Sequence, residues 1–215
     1  MWTLGFLILL KNPLVAQTSP NWKAFKSSPQ AHRSIDVSDL DTSLLEEAFF
    51  HAINQVRQKY KKKPLYYSLP LSEVAQYYSE EQAKLNFFGH NHPYNSEMST
   101  PHKRITQMAG KMNYTGENLA EYPPFQVKKK QGFYYIEEGP DGSITWLDRN
   151  KRPLMTHTYF SFAAYITDEW MRSKGHRKNL LNDHYELVGM GFAVPRQRFS
   201  KELPMIVITQ NFGTQ

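Results

Sequence analysis

Cysteine is absent from all 215 residues of the chain. Its absence removes disulfides, thiolate nucleophiles, thiolate metal sites and the lipid-bearing cysteine of a lipoprotein, so any metal would have to be held by His, Asp or Glu. Long apolar runs are nearly as scarce. The one concentrated run, Trp2, Leu4, Phe6, Leu7, Ile8, Leu9 and Leu10, is roughly seven to ten residues long, too short to cross a bilayer and about right for a signal-peptide core. Residues 1–16 therefore read as a leader for a secreted or periplasmic protein, with a buried N-terminal segment as the plainer alternative. Nothing later in the chain reads as a transmembrane helix. Acidic residues are in modest deficit, 20 against 26 Lys and Arg. The triplets Lys61-Lys62-Lys63 and Lys128-Lys129-Lys130 hold that whole excess and the remainder is neutral, which argues against a nucleic-acid binder.

What is present fits one globular domain. The chain is 40% hydrophobic, 21% charged and 14% aromatic, too apolar for disorder and too short for two sizeable domains. Residues 17–41 are polar and interrupted by Pro20 and Pro29, so they read as a tether with little structure of its own. From Ser43, which with Glu46 fits a capping box, Leu44, Leu45, Ala48, Phe49, Ala52, Ile53, Val56 and Tyr60 follow at helical spacing. That helix ends in the first lysine triplet, where cations suit a helix C-terminus. A second helix opens at Pro70 and stops at Gly89. A third runs from a Thr100 cap and Pro101 to Gly110, and a fourth from about Tyr159 to Ser173. The stretches Leu187–Val194 and Met205–Gln210 have the composition of two antiparallel strands, and Phe133–Trp146, with Pro140-Asp141-Gly142 at its centre, reads as a hairpin. Helices followed by strands point to an α+β layered structure with an antiparallel sheet.

Eight histidines are the only candidates for imidazole chemistry. His32 falls in the tether, and His51 is flanked by core positions of the first helix. His90 and His92 follow the Gly89 stop, on a loop at a helix end, where binding groups often gather. The contiguous His90-Asn91-His92 is weak support for a nuclease. Gly116-Glu117-Asn118-Leu119-Ala120 reads as an irregular stretch after the third helix, in which turn chemistry alone would explain Asn118 and Gly116. Glu169 and His176 stand close to two helical turns apart. If Gly175 ends the helix, His176 can still fold back beside Glu169 and complement a second pair from His90 and Glu117.

The ordered set Phe88-Gly89-His90-Asn91-His92-Pro93, Thr100-Pro101 with Arg104 and Ala109-Gly110, Gly116-Glu117-Asn118-Leu119-Ala120, Glu169-Trp170, the run from Ser173 to Leu180, Val188-Gly189-Met190-Gly191 and Thr209-Gln210-Asn211-Phe212-Gly213 resembles the CAP superfamily. That group comprises cysteine-rich secretory proteins, antigen 5 and pathogenesis-related proteins, and the chain is most similar to its bacterial SCP-like branch. The resemblance covers about residues 43 to 213. It implies an α-β-α sandwich, with a central antiparallel sheet between helical layers, and a cleft lined by two histidines and two glutamates. Carried over position by position, these are His90, Glu117, Glu169 and His176, with His92 as competitor for the first and Asn118 and Gln210 in supporting positions. The CAP domain would then occupy residues 42–215. It departs from the family in lacking cysteine and in a longer connection over about 122–158, an insertion placed by topology to form a rim or lid that sets ligand choice, or else a tolerated surface excursion.

Two neutral imidazoles and two carboxylates carry about −2 at neutral pH, which a divalent cation, zinc above all, would offset. Metal-assisted hydrolysis would then run through a bound water with Glu117 or Glu169 as base. No constellation of nucleophile, base and orienting group is visible. Three function classes follow: a ligand-binding module for a lipid, sterol or glycan; a metal-dependent hydrolase acting on peptides or cell-envelope material; and a structural or interaction protein with a vestigial site.

Overall fold

The computed structural model of the chain describes residues 22–127, 134–195 and 202–214. The expected leader and the second lysine triplet lie outside the described residues. Folded structure begins earlier than the composition suggests. Where a tether is expected, α1 (Trp22–Ser27) and a 3-10 turn at Gln30–His32 bury Phe25, Ala31 and Ile35. Few apolar residues suffice because each finds an aromatic partner or a prepared surface. Phe25 stacks on His51 with ring centroids 4.9 Å apart, Trp22 stacks on Phe160 at 4.7 Å, and Ser34 bridges to Thr158. Their wide spacing defeats any periodic reading.

The long amphipathic run forms α2 (Thr42–Lys59), whose stripe of Leu45, Ala48, Phe49 and Ile53 is fully buried. Its cap is Asp41, which accepts from Leu44 N at 2.9 Å, rather than the expected Ser43. A carboxylate at that position satisfies a free amide and faces the positive end of the helix dipole. Glu46, freed from the expected capping box, turns inward to Ser72 and to the amide of Met190. The segment after α2 supplies a two-residue strand, β1 (Tyr66–Tyr67). α3 (Leu69–Leu85) follows, capped by Ser68 and ended by Asn86 in the left-handed region (φ 53) three residues before the expected Gly89. α4 (Pro101–Ala109) starts at Thr100 and ends at Gly110 as its punctuation requires.

The Gly116–Ala120 motif, expected to be irregular, lies inside a nine-residue strand, β2 (Tyr114–Tyr122). Hairpin β3 (Tyr135–Glu138) and β4 (Ile144–Leu147) stands apart from the main sheet. α5 (Tyr159–Arg172) breaks at Ser173, and a second short helix, α6 (Lys174–Leu180), carries Gly175 inside it instead of ending there. β5 (Leu187–Ala193) and β6 (Ile206–Thr214) complete a sheet in the order β1-β5-β6-β2. All pairings in that sheet are antiparallel except the short parallel edge of β1 on β5.

The sheet lies between two helical layers. α2 and α5 cover one face through a core of Phe49, Phe162, Trp170 and Phe192, in which Phe49 meets Trp170 and Phe192 at 5.7 and 5.5 Å. α3 and α4 cover the other through Leu71, Val74, Ile105, Met112 and Leu187. α3 approaches β5 so closely that a Cβ at Gly189 or Gly191 would collide with the backbone of Ser72 or Gln76. The glycines in this strand are there for that contact. The expected α-β-α sandwich is what the chain forms.

Candidate functional site

Strand alternation sends adjacent side chains of β2 to opposite faces. Glu117 points toward the α3–α4 layer and Asn118 toward α6, so this strand serves both sides of the site. On the first side, Glu117 is 1% exposed at the side chain and both of its oxygens are used. Arg104 Nη2, on α4, donates to Oε2 at 2.8 Å, and His90 Nδ1 meets Oε1 at 2.9 Å. Arg104 is itself fully buried, with its guanidinium 3.3 Å over the ring of Tyr78, and it also donates to the carbonyls of Met98 and His90.

The loop that presents His90 is held by α3. Tyr78 donates its hydroxyl to Gly89 O at 2.5 Å, and Gly89 N donates to Gln82 Oε1 at 3.1 Å. With Nδ1–H directed at a carboxylate, the neutral His90 ring carries its lone pair on Nε2. Nε2 has no protein partner among the described residues, and the side chain is 52% exposed. His92, the competitor, is placed differently: it is buried among Tyr78, Phe87 and Tyr94 and paired with Glu81 at 3.2 Å. Its role is packing.

On the other side, α5 and α6 present Glu169 and His176. Glu169 is bonded by Arg172, three residues on, and by Tyr122 at 3.4 Å. His176 packs edge-on against Trp170 at 6.3 Å. Burial holds its imidazole below the usual range and His90 adds repulsion, so the two rings lie within electrostatic reach of each other. α6 is pinned by amides: Asn179 donates to Glu117 O and Asn118 Oδ1 at 3.0 and 2.9 Å, and Asn118 donates to Gln210 Oε1 at 2.9 Å. Asn118 and Gln210 thus belong to one amide network beside α6. Asn179 joins them unpredicted.

The four candidate residues do not fit a divalent ion as they stand. Among the described residues no group of three or more His, Asp or Glu is arranged to hold a metal. Each carboxylate is already matched by an arginine, Glu117 by Arg104 and Glu169 by Arg172, so the −2 that a cation would offset is offset within the chain. Neither arginine enters a reading based on histidine and carboxylate alone. Arg172 was readable, at helical i,i+3 spacing from Glu169. Arg104, on a different element from Glu117, was not. Glu117 and Glu169, with side chains 1% and 7% exposed, are also poorly placed to act directly as bases.

Sequence and structure comparisons identify the family and the fold. The profile of the CAP family, the Cysteine-rich secretory protein family, matches residues 50–212. The chain belongs to that family. Among solved structures it is similar to an extracellular protein containing an SCP domain from Bacillus anthracis, with 20% identity and TM-score 0.50, covering 83% of this chain and 43% of that one. It is also similar to an outer surface protein of Borrelia burgdorferi, with 16% identity and TM-score 0.51, covering 86% and 98%. The chain therefore spans less than half the length of the Bacillus protein. At these identities the likeness concerns the fold. No curated protein sequence gives a significant match.

Proposed function

We infer that the chain is an extracytoplasmic CAP module that binds a polar ligand of the glycan class in the cleft between His90 and His176. One observation carries this reading: a half-exposed imidazole, oriented by a buried carboxylate that is itself clamped by a buried guanidinium. Such support fixes the direction of a hydrogen bond, which polyhydroxylated ligands need. A sterol or acyl chain would have to desolvate charged pairs at this cleft without compensation. Export is supported by the N-terminal apolar run, and the two similar structures are described as extracellular and outer-surface proteins. Among the described residues no helix is long and apolar enough to cross a membrane.

Calorimetry with soluble chitooligosaccharides and cell-wall glycan fragments tests the reading. Saturable binding that is lost in His90→Ala and in His176→Ala is expected. Binding of sterol or fatty acid with none of these glycans would overturn it. The same instrument tests the metal. No stoichiometric zinc uptake is expected, and uptake abolished by combining His90→Ala with His176→Ala would show that the arginines yield to an ion.

A second reading has its own observation. An imidazole oriented through Nδ1 by a carboxylate is also the geometry of a general base. Turnover of a casein or cell-wall substrate, lost in His90→Ala and reduced in Glu117→Gln, would establish a hydrolase. A broad panel without turnover leaves the binding module. The rim or lid role of the 122–158 insertion is tested by deleting residues 128–153 and asking whether glycan selectivity changes.

A further inference from the structure

α6 has two unlike sides. At 3.6 residues per turn, His176, Asn179 and Leu180 face the sheet, where Asn179 is hydrogen-bonded and Leu180 is fully buried. Lys174, Arg177, Lys178 and Leu181 share the opposite side, at the i, i+3, i+4, i+7 spacing of one helix face. That side lines an open surface depression offering about 690 Å³, bordered by Tyr114 and the turn Asn182–His184. All three cations are exposed and none makes an ion pair with a described residue. Asp183, the one acid in the lining, is taken by Lys62 at 2.5 Å.

Helix stability does not account for this clustering. Arg177 and Lys178 suit the C-terminal turn, but Lys174 is the first residue of α6, where the helix dipole repels a cation. The depression also has an aromatic border. Tyr114, 48% exposed, lies flat on His184 with centroids 4.5 Å apart and 17° between planes, and Arg177 is steadied over Tyr60 at 5.3 Å. A set of unneutralised cations beside a braced ring matches an anion joined to a flat-faced group.

We propose that this open depression binds a phosphate ester of a ring-bearing alcohol, with the phosphate held by Lys174, Arg177 and Lys178 and the ring laid against Tyr114. The site is separate from the His90 cleft, on the far side of α6. Titrations at low salt with glucose 1-phosphate, AMP, inorganic phosphate and methyl glucoside, followed by calorimetry and by NMR shifts, test it. One or both esters should saturate below about 10 mM and bind several-fold more tightly than inorganic phosphate, while methyl glucoside does not bind. The tighter ester identifies the ring as sugar or base. Combining Lys174→Gln with Lys178→Gln should weaken the ester at least about ten-fold and flatten its salt dependence. Tyr114→Ala should bring it down to the level of inorganic phosphate. These residues are solvent-facing, and unchanged thermal unfolding of the variants checks that the fold survives. His90→Ala should leave ester binding intact, so failure here and failure of the glycan reading are separable. No saturation by either ester, or equal binding by the lysine variant, would overturn the proposal.

Discussion

The two glutamates of the candidate site are both buried and both paired with arginine, but one arginine is buried and the other exposed. Arg104 and Glu117 are 0% and 1% exposed at their side chains and come from different elements. Arg172 and Glu169 sit three residues apart on one helix, with the arginine 66% exposed. The first pair is part of the scaffold, because each partner is desolvated and compensated only by the other and by its fixed neighbours. In the second the arginine reaches in from water and can move away. The Glu117 side, which orients His90, is therefore fixed, and under the proposed reading the Glu169 side is the wall that can rearrange around a ligand beside His176. Charge counting alone treats the two glutamates as equivalent. The burial of their arginines distinguishes the two pairs.

The largest effect should come from the fixed wall. Arg104→Ala strands a buried carboxylate, removes the donor to the carbonyls of Met98 and His90, and leaves the Tyr78 ring uncovered. A loss of about 3–5 kcal/mol in chemical denaturation is expected, together with loss of cleft binding. Arg104→Lys should fall in between, since an ammonium keeps the charge but cannot fork to acceptors in three directions. Combining Arg104→Met with Glu117→Leu should recover much of the stability without recovering function, because no charge is then left unpaired. A loss below about 1 kcal/mol in Arg104→Ala would put this pair in the same class as the exposed one and break the comparison.

Next comes pH. With two arginines matching two glutamates, a proton on His176 adds an unmatched charge. Burial, and for His176 the neighbouring His90, holds both His176 and His157 below the ordinary 6.5. A depressed histidine pKa means that the unfolded chain takes up the proton first as pH falls. The stability these groups contribute is complete above about 6.5 and is lost progressively as pH drops toward their folded values. Glu46 has the opposite sign. Burial raises its pKa above the ordinary 4.5, so its contribution is present at low pH and lost as pH rises through the raised value. Unfolding curves from pH 8 to 4 should show a decline beginning near the histidine range, and His176→Gln should reduce its slope. An unchanged slope would mean that His176 is solvated and the cleft wider than its packing against Trp170 implies.

These contrasts also mark what could be read from the chain. α2 and α5 were legible from their apolar period, as along Leu45 to Ile53, and α4 from its Thr100-Pro101 start. β5 and the first part of β6 were legible from β-branched content. β2 was not, because Glu117 and Asn118 serve opposite faces and replace the apolar alternation that identifies a strand. Residues 22–41 were misread for a different reason: isolated aromatic anchors such as Trp22 and Phe25 order a segment without making it periodic. His90, Glu117, Glu169 and His176 are grouped in sequence only by the ordered motifs of the family, since spacing links no more than Glu169 with His176. Arg104 escaped notice as a partner because a contact between a helix and a strand leaves no trace in local spacing.

The smallest effect should be at the movable wall. Arg172→Ala removes an i,i+3 ion pair whose cation is two-thirds in water, and such pairs contribute about 0–1 kcal/mol because side-chain ordering and screening offset the attraction. Glu169 would keep its hydrogen bond from Tyr122 and the rest of its surroundings. Thermal unfolding should shift little, and what shift there is should vanish near 1 M salt, where the Debye length is about 3 Å. The Arg104→Ala deficit should persist at that ionic strength because no ions enter its site. If instead Arg172→Ala weakens glycan binding several-fold while leaving stability alone, the exposed arginine contacts ligand and the movable wall is the one that selects it. A stability loss that approaches that of Arg104→Ala and resists salt would show that Glu169 needs its arginine as a fixed part of the fold, and the asymmetry between the two walls would disappear.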